Sequence, residues 1–429
     1  MRVLFKTFAV PSHVYNLAPL AWALRSAGHE VRVAGHPDIT PVIQQAGLTS
    51  VAVGEPLELA ARHEDVPFEQ TVYGSGYRMA ESRPEVLTWD YVRNVFRVHV
   101  SAPLAFDAFS DDGLIAGLLA VAEDWRPDLV IWDSMCYSAP VVASVLGIPQ
   151  IRLLSGVDVL GRMRDVFLDL ARTHAAPDDP MAEWLTRKVA AHGGTFDETM
   201  VCGQATIDPL PSWMRPAVGI RYLAMRQVPF HGTTSVPSWL MAAPTKPRVC
   251  LTLGLTGRMP VDSSTSVSDM SEPAVTVPEL LKAMAELDVE VIATLDTKQL
   301  AEVPDLPDNV RVCDFVPLNE LLPSCSAIIH HGGTGTLSTA LLHGVPQLIV
   351  PGTLWDETAK AEALVRRGVG VSITPDNLSP DLVRRQLERV LTEPSFAEQA
   401  TEARAELLKT PTPYDLVPDL VAHAANPVP

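Results

Sequence analysis

The chain is short of positive charge. Its 33 lysines and arginines face 51 aspartates and glutamates over 429 residues, a formal net charge of −18. A broad nucleic-acid footprint needs clustered cations against phosphate, so that class of partner is disfavoured; otherwise the acidity speaks only to solubility. Cysteine is scarce too. Cys136, Cys202, Cys250, Cys313 and Cys325 are scattered, odd in number and never spaced C-x-x-C, which argues against a disulfide framework or a zinc site. Cys250 and Cys313 sit in apolar runs, where a buried thiol behaves as a small hydrophobe. No stretch approaches the roughly 20 uninterrupted apolar residues of a membrane span. The opening MRVLFKTFAV has a short apolar run that ends at Pro11. It reads as a first strand rather than a secretion signal, and the chain is expected to be soluble and cytoplasmic.

Two motifs are also missing. A dinucleotide-binding domain would place G-x-G-x-x-G after the first strand, where this chain has FAVPSHVYN; that counts against a nicotinamide or flavin enzyme. The later glycine-rich loop has no Walker lysine, which counts against kinase or ATPase chemistry.

What is present is a strand–helix rhythm, twice over. Short apolar strands at Val3–Phe8, Glu30–Ala34 and Ser50–Val53 alternate with helical spacing that stops at Gly28 and Gly47. Residues 55–125 interrupt with charge, aromatics and helical periodicity, as in TWDYVRNVFRVHVSAPLAFDAF, and the rhythm resumes at Leu129–Trp132 and Gln150–Leu154. Residues 208–247 carry Pro209, Pro211, Pro216, Pro229, Pro237, Pro244 and Pro247, a density that fits a loop-rich connection. The pattern restarts at Arg248–Leu253 and runs on to a helix over 380–392, with a mostly helical end. Alternation of this kind predicts open, doubly wound parallel sheets. We expect two Rossmann-like α/β domains facing across a cleft: an acceptor domain over 1–215, a linker over 216–247, a second domain over 248–405, and a helical tail over 406–429 that packs back on the first. In such sheets the working loops lie beyond the carboxyl ends of the strands, and ligands favour domain interfaces.

Three loops carry candidate chemistry. His13 follows the first strand, where an imidazole suits removal of a proton from a hydroxyl near neutral pH; the bland alternative is a histidine that packs the helix. A base of this kind needs an acid to hold its tautomer. Asp133, at the carboxyl end of the strand in PDLVIWDSM, lies on the same sheet edge; its alternative role is a helix N-cap. Asp128 lies at the strand entrance, on the wrong edge. The second loop is IIHHGGTGTLSTALLHGVPQLIVP. Gly332, Gly333 and Gly335 let backbone N–H groups approach an anion, the helix N-terminus adds partial positive charge, Thr334 and Thr336 add hydroxyls, and His330 or His331 can donate to a phosphate oxygen. The adjacent histidines diverge and lack a third ligand at a standard spacing, so they read as a diphosphate site rather than a metal site. The third is PGTLWDETAKAE, where Asp356 and Glu357 are paired carboxylates suited to sugar hydroxyls, or to a helix dipole alone. The loop starting Gly254-Leu255-Thr256 points at the same place, and the Ser/Thr/Pro-rich 257–276 reads as a mobile loop ordered by donor binding.

HHGGTGT, PGTLWDET and SHVYNLAPLAWALRSAGHEVRVA resemble the motifs of the GT-B glycosyltransferases of natural-product biosynthesis. RPDLVIWD, GQATIDPLPSWMR, PRVCLTLGLT and NVRVCDFVPLNELLPSC are most similar to bacterial macrolide and polyketide deoxysugar transferases. The likeness covers nearly the whole chain. It implies an inverting transfer without a metal or other cofactor, in which His13, oriented by Asp133, deprotonates an acceptor hydroxyl. A TDP-deoxysugar, often an aminosugar, would be the donor, and a polyketide aglycone the acceptor. His330 and the following loop would stabilise the departing diphosphate; Phe315, Val316 and Pro317 would lie near the base; Trp355, Asp356 and Glu357 would line the sugar. The resemblance also implies a helper protein, similar to a haem-binding monooxygenase without haem function, on the helices at 55–125. Many relatives carry Asp-Gln where this chain has Asp356-Glu357, a change that loses two donors and adds charge. Two other readings compete: a nucleotide-sugar epimerase on the same scaffold, which the His–Asp pair argues against, and a non-catalytic binding or helper protein, which the retained motifs argue against.

Overall fold

The computed structural model describes residues 1–174, 177–252, 277–295, 297–301, 303, 305–352 and 355–426. The chain divides into two units, one comprising Met1–Gly232 with Pro411–Pro429 and the other Thr233–Thr410.

The first unit is built on strands β1 (Arg2–Lys6), β2 (Glu30–Gly35), β3 (Ser50–Ala52), β4 (Leu129–Asp133), β5 (Gln150–Leu153), β6 (Thr206–Asp208) and β7 (Tyr222–Ala224). All pairings are parallel, in the order β3-β2-β1-β4-β5-β6-β7. Val3, Leu4, Phe5 and the whole of β4 are buried, as continuous apolar runs should be when helices cover both faces of a parallel sheet. The helix Pro11–Ser26 starts with proline in its first turn, where the missing N–H costs nothing. The 55–125 region is helical as expected, with helices Leu59–Asp65, Trp89–Ser101 and Asp112–Trp125. Thr88 and Asp111 cap the latter two through their side chains. The middle helix turns Val92, Val95, Phe96, His99 and Val100 inward.

The second unit holds β8 (Arg248–Thr252), β9 (Glu290–Thr294), β10 (Val310–Cys313), β11 (Ala327–His330), β12 (Gln347–Ile349) and β13 (Gly370–Ser372), again all parallel, in the order β10-β9-β8-β11-β12-β13. Its two cores follow the period-2 alternation of strands. Val249, Leu251, Val291, Ala293, Ala327 and Ile329 face one side with the helices Val277–Ala285 and Pro380–Thr392. Cys250, Ile292 and Ile328 face the other with Leu321 and Ala340.

The proline-rich 216–247, expected as a linker, is not a separate piece. Tyr222–Ala224 extends the first sheet, the division falls between Gly232 and Thr233, and Trp239 and Leu240 pack against the second unit's core. At the other end Pro411–Pro429 belongs with the first unit; the N–H of Arg226 donates to the Pro411 carbonyl at 2.7 Å. Among the described residues no helix is long and apolar enough to cross a membrane.

Candidate active site

In each sheet the strand order reverses between the first strand and the one beside it, β1 against β4 and β8 against β11. Connections leave these neighbours to opposite faces, which opens a crevice at their carboxyl ends. His13 and Asp133 lie at the first of these crevices and the glycine loop after β11 at the second.

In the first unit, His13 sits in the first turn of Pro11–Ser26, four residues past the turn that leaves β1 at Thr7-Phe8-Ala9. Asp133 ends β4. Their pairing spans 120 residues of chain: His13 Nδ1 lies 2.6 Å from Asp133 Oδ2. An ionised carboxylate only accepts, so Nδ1 carries the proton and Nε2 keeps its lone pair. The other carboxylate oxygen accepts the Met135 N–H at 2.9 Å, fixing the acid from behind. Asp133 is not a helix cap, since the next helix begins at Ser138. Phe8 meets the His13 ring edge-on at 5.3 Å and itself packs on Phe109. The acid is 4% exposed and the imidazole 18%: a buried carboxylate holding an imidazole that reaches solvent. Asp128 lies at the other end of the strand, accepting the Arg2 N–H at 2.7 Å.

In the second unit, the glycine loop leaves β11 and opens the helix Thr334–His343. Gly333 is its N-cap and has no side chain to cap with; the first helical bond runs from the Leu337 N–H to the Gly333 carbonyl. The N–H groups of the first turn are therefore the orphan donors of an anion site. Gly332 has φ +100°, and a Cβ there would lie 3.2 Å from Cβ of Glu357. A Cβ on Gly335 would meet nothing within 4 Å, so that glycine keeps space open rather than packing.

The two histidines differ: His330 is the last residue of β11 and His331 the first of the loop after it. His330 is 1% exposed. Its Nε2 pairs with Gln347 Oε1 at 2.8 Å and its Nδ1 accepts the Gly332 N–H at 3.0 Å. Burial pushes its pKa down to about 3, with the neighbouring charge of His331 adding to the effect. Both nitrogens are thus spent on shaping the loop. This corrects the expectation that His330 donates to the departing diphosphate: in this geometry it has no N–H left to give. His331 has capacity left. Its buried Nδ1 has no hydrogen-bond partner among the described residues, its Nε2 borders Gly333, and burial pushes its pKa down to about 4, so the imidazole is neutral at pH 7 and carries one N–H.

Asp356 and Glu357 open the helix Glu357–Arg367. Asp356 makes no side-chain cap bond; its Oδ1 lies 2.8 Å from Lys360 Nζ. Glu357 accepts the Trp355 N–H at 3.1 Å. Burial holds its carboxyl above the ordinary range, with Lys360 pulling it down and Asp356 pushing it up. Lys360, 1% exposed, also donates to Thr334 Oγ1 at 3.1 Å. Sequence reasoning missed this cation; the i, i+4 spacing from Asp356 was the available signal. Thr336 is buried at the loop. On the β10 side, Phe315 is half-buried, whereas Val316 and Pro317 are buried. The Val316 side chain belongs to the core, leaving only its backbone for a ligand. Gly254, Thr256 and the 257–276 loop lie outside the described residues.

These features have counterparts among known proteins. The crystallised glycosyltransferase VinC in complex with dTDP superposes with a TM-score of 0.88 at 43% identity, over 99% of this chain and 100% of that one. A chain with two such parallel sheets, matched end to end, is a glycosyltransferase of the GT-B fold. More narrowly, it belongs to the erythromycin biosynthesis protein CIII-like family, whose N-terminal domain model matches residues 22–254 and whose C-terminal domain model matches 278–423. It is 46% identical to the aclacinomycin-T 2-deoxy-L-fucose transferase of Streptomyces galilaeus, over 97% of this chain and 95% of that protein. With the 10-deoxymethynolide desosaminyltransferase of Streptomyces venezuelae it shares 41%, over 99% and 98%. The relatives are deoxysugar transferases of macrolide and aromatic polyketide antibiotic pathways.

Proposed function

We propose that this chain moves a deoxysugar, an aminosugar in the first instance, from a TDP-sugar to a hydroxyl of a macrolide or aromatic polyketide aglycone, with inversion, in the cytoplasm and without a metal ion. The observation that carries the reading is the 2.6 Å pairing of His13 with Asp133. With Nδ1–H held by the carboxylate, Nε2 takes the proton of the acceptor hydroxyl. The acceptor oxygen attacks the anomeric carbon from the face opposite the diphosphate. The carbon–oxygen bond to the diphosphate breaks, and TDP leaves with the electron pair. Asp133 stabilises the imidazolium. The first-turn N–H groups after Gly333, the hydroxyls of Thr334 and Thr336, and His331 receive the leaving charge, and their number makes a metal unnecessary.

Glu357 places a carboxyl on the sugar loop, which suits a cationic sugar. Glu357→Gln should lower turnover of an amino-deoxysugar more than that of a neutral deoxysugar; equal effects would remove the aminosugar preference. The helices over 55–125 are the candidate surface for a monooxygenase-like helper protein. The deciding experiment is mass spectrometry and NMR of the products formed by the purified chain with TDP-deoxysugars and polyketide aglycones, with EDTA, with and without such a helper. A glycoside of inverted configuration is expected. Epimerised donor without glycoside would overturn the transferase reading, and full activity without the helper would remove that partner.

A further inference from the structure

We propose that Lys360 is a positioning residue that links the sugar loop to the diphosphate loop and strengthens the grip on the donor's phosphates. The inference rests on the TDP-sugar reading. A buried ammonium must be matched by polar partners, and those of Lys360 come from two different loops. Asp356, after β12, lies 2.8 Å away; Thr334 Oγ1, after β11, lies 3.1 Å away. Each partner is changed by the contact. Asp356 is drawn along its own helix rather than capping it. The Thr334 oxygen, by accepting from an ammonium, must direct its own O–H elsewhere, and that O–H is polarised into a stronger donor. Thr334 opens the helix whose N-terminus forms the anion site, so the phosphates are the acceptor within its reach. The field of Lys360 also bears on Glu357, His330 and His331. A cation is thus present at a loop that lacks a Walker lysine, supplied by the following helix from behind.

A purely structural salt bridge predicts something different, and calorimetric titration with thymidine and with TDP separates the two. The intact chain should bind TDP; if it does not, the TDP-sugar reading fails and this inference with it. In Lys360→Met, TDP binding should weaken about tenfold, the scale of a hydrogen bond to a charged group, while thymidine binding stays within twofold. Lys360→Arg, which keeps the charge, should recover most of the loss. Should Lys360→Met be too unstable to titrate, the uncharged pair Asp356→Asn with Lys360→Met restores a matched interior. Its thermal stability should recover while TDP binding stays weak. If TDP binding is unchanged in Lys360→Met, falls in parallel with thymidine binding, or recovers fully in the double variant, Lys360 is structural and the proposal is overturned.

Discussion

The two switch points share a topology and differ in chemistry. At β1/β4 the crevice holds two side chains from distant segments, a part-exposed imidazole on a buried acid. At β8/β11 it holds one contiguous loop whose donors are largely backbone, and its buried imidazole is spent on the loop itself. The difference lies in what each site must do. A base must release and regain a proton, so it needs a lone pair facing outward and a partner that tolerates the imidazolium. An anion cradle must hold fixed dipoles in place without titrating, so its histidines are kept neutral by burial. Under the proposed function, one parallel-sheet architecture would provide a moving proton at one crevice and a static field at the other.

Replacing the base tests that contrast most severely. His13→Ala should lower kcat about a thousandfold and leave TDP affinity unchanged; Asp133→Asn, which retains the shape but not the charge, should fall between the two. If both variants lost nucleotide binding in proportion to turnover, the division of labour between the crevices would collapse. Acid comes next. His330, His331 and His99 are pushed down by burial to about 3, 4 and 4, below an ordinary histidine near 6.5. Between those values the unfolded chain binds protons that the folded chain refuses. Stability is therefore full above pH 6.5 and is lost as the pH falls toward 4, at about 1.4 kcal/mol per group for each pKa unit of depression. Urea titrations at pH 7 and pH 4.5 should show a clearly lower midpoint in acid; a constant midpoint would mean that these imidazoles are not held neutral. Glycine replacements at the second crevice give the smallest and most local effect. Gly335→Ala should leave Tm unchanged or slightly raised, because the site is open and helical, yet raise the donor KM about tenfold by occupying the phosphate space. Gly332→Ala should instead lower Tm, since its φ of +100° strains any residue with a Cβ and the Glu357 side chain 3.2 Å away would have to give. An unchanged donor KM in Gly335→Ala would show that Gly335 faces no ligand.

Legibility in the sequence followed contiguity. The glycine loop and the Asp356-Glu357 pair were readable because their chemistry is local. His13 and Asp133 were readable as candidates because one follows and the other ends a buried parallel strand, although nothing local gave the 2.6 Å between them. Tyr222–Ala224 was missed: three residues among prolines carry too little periodicity to identify a strand, and it exists because β6 offers it an edge. Lys360 was missed because its significance depends on Thr334, 26 residues away.

By itself, then, the sequence determined the architecture, two doubly wound parallel sheets, and the kind of loop at each sheet's carboxyl edge. Those properties follow from short-range patterns: apolar runs, glycines at turns, and caps at helix starts. The tertiary structure alone decided which imidazole keeps a usable nitrogen, how closely His13 and Asp133 meet, and where the buried cation lies. These depend on distances between segments far apart in the chain and on the removal of water from around them, and both arise only when the sheets are assembled.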